Sequence, residues 1–283
     1  MNRYPPLYVV IHIYKTAGKA LLRNFKRNFA KDQLISMYAP QIGLDKAENS
    51  ANPGWNENIV VDYLNRHYTE KTRCIFGHMA FFGIHELHPF SQREVRYIVF
   101  LREPLARIVS LYNFLRFNSK NVWHHEIVEN DWAMTEWFEN SRGLWLHDGQ
   151  IRQLLLWQRK DVLTRRQLHA EDLAAAQQAL AQMWFIGCQE QFHADAGQLY
   201  RLLGFKKIVA NEAVNVTQGH IRPDAETAGV IARDNALDAE LYRYALSLRA
   251  RRLQASAGAE SGEGALALRR RVARWLPFRS STT

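Results

Sequence analysis

Cysteine is scarce: the chain has two in 283 residues, Cys74 and Cys188. They stand far apart, each inside an apolar run. A structural zinc site needs about four closely spaced ligands, which this sequence does not supply. The pair reads as two buried reduced thiols. Glycine (15) and proline (8) are too few for a collagenous or low-complexity chain. No apolar run reaches the roughly 18 residues of a membrane-spanning helix. The opening MNRYPPLYVVIHIYK holds too short an apolar core for a secretory signal. Clustered carboxylates of the kind that hold Mg²⁺ are also missing. These absences predict a soluble protein in a reducing, cytoplasmic setting.

What is present is ordinary globular composition, 47% hydrophobic and 23% charged, with a basic surplus of 37 Lys and Arg over 28 Asp and Glu. A net charge of +9 predicts anionic partners without naming them. The surplus is uneven. Residues 265–283 carry Arg269, Arg270, Arg271, Arg274 and Arg279 and no acid, so more than half of the charge sits there. The rest is too weakly basic to read as a nucleic-acid binder. In the tail, Leu268, Val272, Trp275 and Leu276 share a helical face flanked by arginines. That pattern suits an anionic membrane surface, and a disordered basic tail fits equally. The small-residue stretch 255–264 (ASAGAESGEG) reads as a linker. The expected division is a domain over 1–254, a linker over 255–264 and a tail over 265–283.

Leu7 to Ile13 is a continuous apolar run broken only by His12, the mark of a strand buried on both faces. Lys15-Thr16-Ala17-Gly18 forms a turn. Lys19 to Ala30 then places Leu21, Leu22, Phe25 and Phe29 at helical spacing. Arg73–Gly77 is a second candidate strand. Arg96–Leu101 is a third, and Arg102-Glu103-Pro104 stops it and opens a helix to about Phe117. Asp131 reads as the cap of a helix in DWAMTEWFENS. Asp172–Gln182 reads as helix, Trp184–Gly187 as strand, and Phe192–Leu203 as helix closed by Gly204. Residues 224–253 read as helical in two segments. Alternating strands and helices predict an α/β fold with a mainly parallel central sheet flanked by helices, a P-loop-like three-layer fold.

In such sheets ligands bind at the carboxyl ends of strands, where turns meet helix N-termini. Three polar residues fall there. Lys15 lies in the first turn, where successive N–H groups and a helix dipole suit a phosphate. Thr16 adds a hydroxyl donor, and Gly18 permits close approach. This is not the ATP-binding loop G-x-x-x-x-G-K-[ST]: Lys15 precedes Gly18, and Ala20 stands where that loop has its Mg²⁺-binding hydroxyl. Arg102, at the end of the third strand, suits bidentate phosphate binding, with Ser110 two helical turns on. His78 follows the second strand in FGHMAFFG. Three strand ends would converge on one cleft. His85, His88, His124 and His125 read mainly as solvated loop residues.

Together these segments resemble the PAPS-dependent sulfotransferases, where PAPS is 3′-phosphoadenosine 5′-phosphosulfate. They are most similar to the carbohydrate branch that includes heparan sulfate 2-O-sulfotransferases. HIYKTAG resembles that family's 5′-phosphosulfate loop, and FGHMAFFG its Gly-His segment. FLREPLARIVSLYNFLRF resembles its 3′-phosphate element. Weaker likeness follows in WFIGCQEQFHADAGQLYRLLGF, NEAVNVTQGHIRP and NALDAELYRYALSLRARRL. The chain departs from the family pattern at Tyr14, where Pro is usual, at Lys19 and Ala20, where hydroxyl residues are usual, and at Glu103, where Asp is usual.

The resemblance implies sulfuryl transfer from PAPS to a sugar hydroxyl of a polysaccharide or glycolipid, without a metal. It implies His78 as general base and Lys15 as stabiliser of the leaving phosphate. Lys15, Thr16, Ala17, Gly18, Lys19 and Ala20 would hold the 5′-phosphosulfate, and Arg102 and Ser110 the 3′-phosphate. Residues 217–222 would form a loop over the nucleotide. Animal members carry an N-terminal membrane anchor. A first strand at residue 7 leads us to expect a bacterial cytoplasmic enzyme, peripheral to the membrane if the tail binds it. A P-loop kinase and a non-catalytic PAP- or glycan-binding module are the alternatives.

Overall fold

The structure, a computed structural model, describes residues 4–39, 56–119, 121, 123–141, 143–209 and 220–260, with side chains as far as 254. Five parallel strands form one sheet: β1 (Leu7–Ile11), β2 (Leu34–Ser36), β3 (Cys74–Gly77), β4 (Val95–Leu101) and β5 (Phe185–Cys188). Their order is β2-β3-β1-β4-β5. In register, Val9 lies beside Ile75 on one side and Tyr97 on the other. The three strands read from sequence as site-bearing are therefore the adjacent central three.

Strand alternation sorts side chains between two helical layers. Leu7, Val9 and Ile11 of β1 join Ile75, Tyr97, Val99 and Ile186 in one core. Tyr8 and Val10 join Phe76, Ile98, Phe100 and Phe185 in the other. The second core is closed by α1 (Gly18–Asn28) and by α8 (Phe192–Leu202). The first is closed by α2 (Glu57–His67), α6 (Gly149–Leu155), α7 (Ala170–Ala181) and α10 (Ala236–Glu260). This is the expected P-loop-like three-layer α/β fold. All five β1 residues are at most 8% exposed. At about 1.5–3 kcal/mol for each large apolar side chain, that strand alone is a large stabilising term. A third core joins α3 (Pro104–Arg116), α4 (Trp123–Glu129), α5 (Met134–Asn140) and α9 (Ala225–Arg233) beside the sheet. Both cysteines are buried and free.

Three local expectations change. β1 ends at Ile11 rather than Ile13, because the chain turns through left-handed residues Lys15 (φ 69°) and Ala17 (φ 63°). Asp131 does not cap α5. It sits in the left-handed region (φ 49°), and Ala133 is the N-cap, with its N–H donating to Glu136 at 2.8 Å. The predicted 255–264 linker overlaps α10, which runs unbroken to Glu260. The added residues include three alanines, the best helix former. The remainder of that linker and the arginine-rich tail lie outside the described residues.

Candidate active site

The chain leaves β1 through His12 and Ile13 and reverses at Lys15–Ala17 to enter α1. Alternating left-handed residues turn successive N–H groups toward one side, the geometry of an anion-binding nest. α1 begins immediately after, so its dipole and unpaired first N–H groups add to that field. Among the described residues, no acceptor takes a hydrogen bond from the N–H groups of Lys15 through Lys19. The N–H of Ala20 differs from expectation: it donates to the Ala17 carbonyl at 3.0 Å, because left-handed Ala17 closes the first turn tightly. Thr16 differs as well. Its buried hydroxyl donates to the Ile13 carbonyl at 2.9 Å, so it braces the loop and leaves only its backbone N–H to face an anion.

Gly18 is needed for space. A Cβ there would stand 1.9 Å from His12 Nε2. The His12 imidazole is 7% exposed, hydrogen-bonded through Nδ1 to Tyr38 Oη at 3.0 Å and edge-on to Phe76. It stacks on the His78 ring with centroids 4.1 Å apart, and Tyr14 covers the opposite face of His78 at 3.8 Å. The Tyr14 departure thus places a ring against His78. Trp145 extends the row at 5.4 Å from Tyr14, and Trp123 lies 5.9 Å beyond it.

His78 Nδ1 lies 2.6 Å from the His12 carbonyl oxygen. A carbonyl only accepts, so Nδ1 must carry the proton. In the neutral ring Nε2 then bears the lone pair. Burial pushes the His78 pKa down to about 4; the bond to His12 opposes this, and nearby Lys19 adds to it. His78 is therefore a neutral imidazole at neutral pH, in the tautomer a general base requires.

Arg102 ends β4. Its Nη1 donates to the Lys15 carbonyl at 3.1 Å, which ties the β4 turn to the β1 turn. Burial lowers the Arg102 pKa, with Glu190 and Glu103 opposing. Its Nε is buried and makes no hydrogen bond. Burial, then the charges of Arg102 and Lys19, bring Lys15 down to about 8. The Lys15 and Lys19 ammonium groups sit 4.1 and 5.1 Å from the Phe114 ring centroid, a cation–π arrangement that orients both. Among the described residues, none of Lys15, Lys19 and Arg102 joins a salt bridge. Three cations without ion pairs and a row of N–H groups therefore surround one face of the β1 turn, and a neutral imidazole stands beside it. Such an arrangement has the charge and N–H groups to hold a multiply charged anion, with an imidazole lone pair beside it that can accept a proton.

The Sulfotransferase family's sequence model matches residues 8–247. The chain belongs to the sulfotransferase family. Among solved structures, a crystal structure of a sulfotransferase from Alicyclobacillus acidocaldarius is similar over 84% of this chain and 96% of that one, at 16% identity and a TM-score of 0.41. No curated protein matches the chain significantly.

The family assigns sulfuryl transfer as the chemistry, and the remaining expected positions lie as follows. Ser110 lies half-buried on α3, two turns beyond Arg102. Glu103 caps that helix as Asp would, accepting from the N–H groups of Leu105 and Ala106 at 3.0 and 2.6 Å. Of the expected 217–222 loop, residues 217–219 lie outside the described residues. Its later part is fixed: Asn113 of α3 exchanges two hydrogen bonds with the Ile221 backbone, at 2.7 and 2.9 Å. The other four histidines stay outside the cluster. His85 bonds Tyr97, His124 bonds the Leu115 carbonyl, His125 faces Glu129, and His88 is exposed.

Several contributors escaped the sequence reading. His12 left a faint signal, a lone polar residue inside a buried apolar run. Tyr38 and Phe114 left none. Nor did α6, whose Gln150 is fully buried and bonds the Arg102 backbone, while Gln153 bonds the His78 carbonyl.

Proposed function

We propose that this sulfotransferase moves the sulfuryl group of PAPS to a hydroxyl of a carbohydrate acceptor, a polysaccharide or glycolipid. The observation that carries the proposal is the convergence of Lys15, Arg102 and His78 from three adjacent strand ends. His78 Nδ1 is spent on the His12 carbonyl, and among the described residues the cations form no salt bridge. The site fits the donor: a buried Arg102 Nε without a partner and five N–H groups without acceptors match a ligand bearing two phosphate positions. When bound, PAPS supplies an activated sulfuryl group on a good leaving phosphate, and a 3′-phosphate that ATP lacks.

The chain's own residues do the rest. The N–H groups of the Lys15–Lys19 turn hold the 5′ end. Lys15 places its ammonium where negative charge develops on the leaving oxygen. Arg102 and Ser110 bind the 3′-phosphate and so select against ATP. His78 Nε2 accepts the proton of the attacking hydroxyl; a positioned base of this kind contributes typically 10²–10⁴-fold. The basic surplus and the half-buried rings of Tyr14, Trp145 and Trp123 favour an acidic sugar chain as acceptor. The arginines of residues 265–283 would hold the enzyme at an anionic membrane surface on the cytoplasmic side.

The test has two arms. PAP should raise the melting temperature in EDTA, whereas ATP should stabilise little. His78→Ala should keep that PAP response and lose nearly all transfer. A variant retaining more than about a tenth of the wild-type rate removes His78 as base. Stabilisation that required Mg²⁺–ATP would replace the whole reading with a kinase.

A further inference from the structure

α6 is joined to both halves of the cleft by side-chain amides three residues apart, which lie on one helical face. The Gln150 amide makes a closed pair with the Arg102 backbone: the Arg102 N–H donates to Oε1 at 3.0 Å, and Nε2 donates to the Arg102 carbonyl at 2.9 Å. One turn on, Gln153 Nε2 donates to the His78 carbonyl at 2.7 Å. α6 itself is held at its start. The N–H groups of Gln150 and Ile151 donate to the two oxygens of Asp238, at 3.0 and 2.9 Å, and Asp238 is fully buried on α10. Residue 78 and residue 102 flank β1 on opposite sides. Among the described residues, α6 is the element besides the β1 turn that bonds to both.

We propose that Gln150 and Gln153 are positioning residues that hold the base His78 and the nucleotide-binding Arg102 at a fixed separation, with α6 as the strut between them. This rests on the roles given to His78 and Arg102 above. The physical case concerns the backbone. The His78 ring is already clasped by His12 and Tyr14, but the carbonyl of residue 78 sits just past the strand, where no ladder bond fixes it. Its peptide plane is held at two points: the Met79 N–H donates to the Met37 carbonyl at 2.9 Å, and Gln153 is the donor to the His78 oxygen itself, so the two bonds together set the direction of the Cα–Cβ bond. Gln150 does the same for Arg102, at both N–H and carbonyl. A 1 Å misplacement of a reacting group costs about 10²-fold in rate.

The two amides should therefore fail differently. Gln153→Met keeps the length and removes the donor. Gln153→Glu keeps the shape and presents an acceptor to an acceptor. Both should lower kcat roughly 10–100-fold, with PAP affinity within about twofold of wild type. Gln153→Arg, which can donate again, should recover most of kcat. Gln150→Glu should instead weaken PAP binding about tenfold and leave kcat at saturating PAPS nearly intact.

Affinity is read by calorimetry with PAP, and turnover by PAP formation from PAPS with a desulfated acidic glycan. Gln153→Met and Gln153→Glu with wild-type kcat would overturn the proposal. So would kcat and PAP affinity falling together in both sets of variants, because a merely structural role predicts that. If the wild-type protein itself bound no PAP, the donor assignment would have failed, a result distinct from failure of the strut.

Discussion

Gly18→Ala offers the sharpest test of how the β1–α1 turn is tied to His78. Ala is normally the better residue at the start of a helix, and a Gly→Ala change without strain stabilises by about 0.4–1 kcal/mol. Gly18 is not in the left-handed region, so backbone conformation raises no objection. The objection is His12. The new methyl would lie 1.9, 2.0 and 2.3 Å from three atoms of its ring, about 1.5 Å short of ordinary contact. That ring cannot swing away, because His78 stacks on it, Phe76 meets its edge and Tyr38 holds Nδ1.

Overpacking a fixed core typically costs about 1–3 kcal/mol, which outweighs the propensity gain. We expect a net loss of about 1–2 kcal/mol in urea denaturation without nucleotide. Turnover should fall by up to about 10²-fold as His12 pushes on His78. His12→Ala opens the space the methyl needs. In that background Gly18→Ala should cost little or stabilise, a coupling of at least about 1 kcal/mol in the double-mutant cycle. A Gly18→Ala protein as stable as wild type, or one equally destabilised with and without the His12 ring, would refute the argument.

Two further outcomes follow. Burial lowers both His78 and Lys15, and the signs differ in consequence: in the proposed roles His78 would serve as the neutral base above about 4, and Lys15 as the cation below about 8. The pH profile of kcat/KM should therefore be a bell with limbs near these two values. An acid limb near 6.5 would mean that His78 is not desolvated as described. The second concerns the strut's anchor. Asp238 faces buried Arg107 at 3.6 Å and accepts two helix N–H bonds. Asp238→Ala leaves that guanidinium without its closest carboxylate and should destabilise by about 3–5 kcal/mol. A loss below about 1 kcal/mol in urea would refute this anchoring role.

Much of the cleft was legible in the order of residues. β1, β3 and β4 are apolar runs that end in Lys15, His78 and Arg102, and in a parallel α/β sheet such ends must share an edge. Their adjacency was a matter of strand order, which periodicity does not encode. β2, only three residues long, and α6, only seven, carry too few residues for a period to stand out. The helical extent of α10 was hidden by small residues that read as a linker, though the helix runs on to Glu260.

The loop showed the same division. Lys-Thr-Ala-Gly announced a turn between β1 and α1, but not that Thr16 would turn inward or that Ala20 would spend its N–H on Ala17. Local sequence by itself determined the strand–turn–helix units and which polar residues stand at their ends, because hydrophobic period and turn chemistry act over a few residues. Only the tertiary structure decided the state of those residues. The tautomer and low pKa of His78, the depressed pKa of Lys15 and the grip of Gln150 and Gln153 all come from desolvation and from hydrogen bonds between segments distant in sequence.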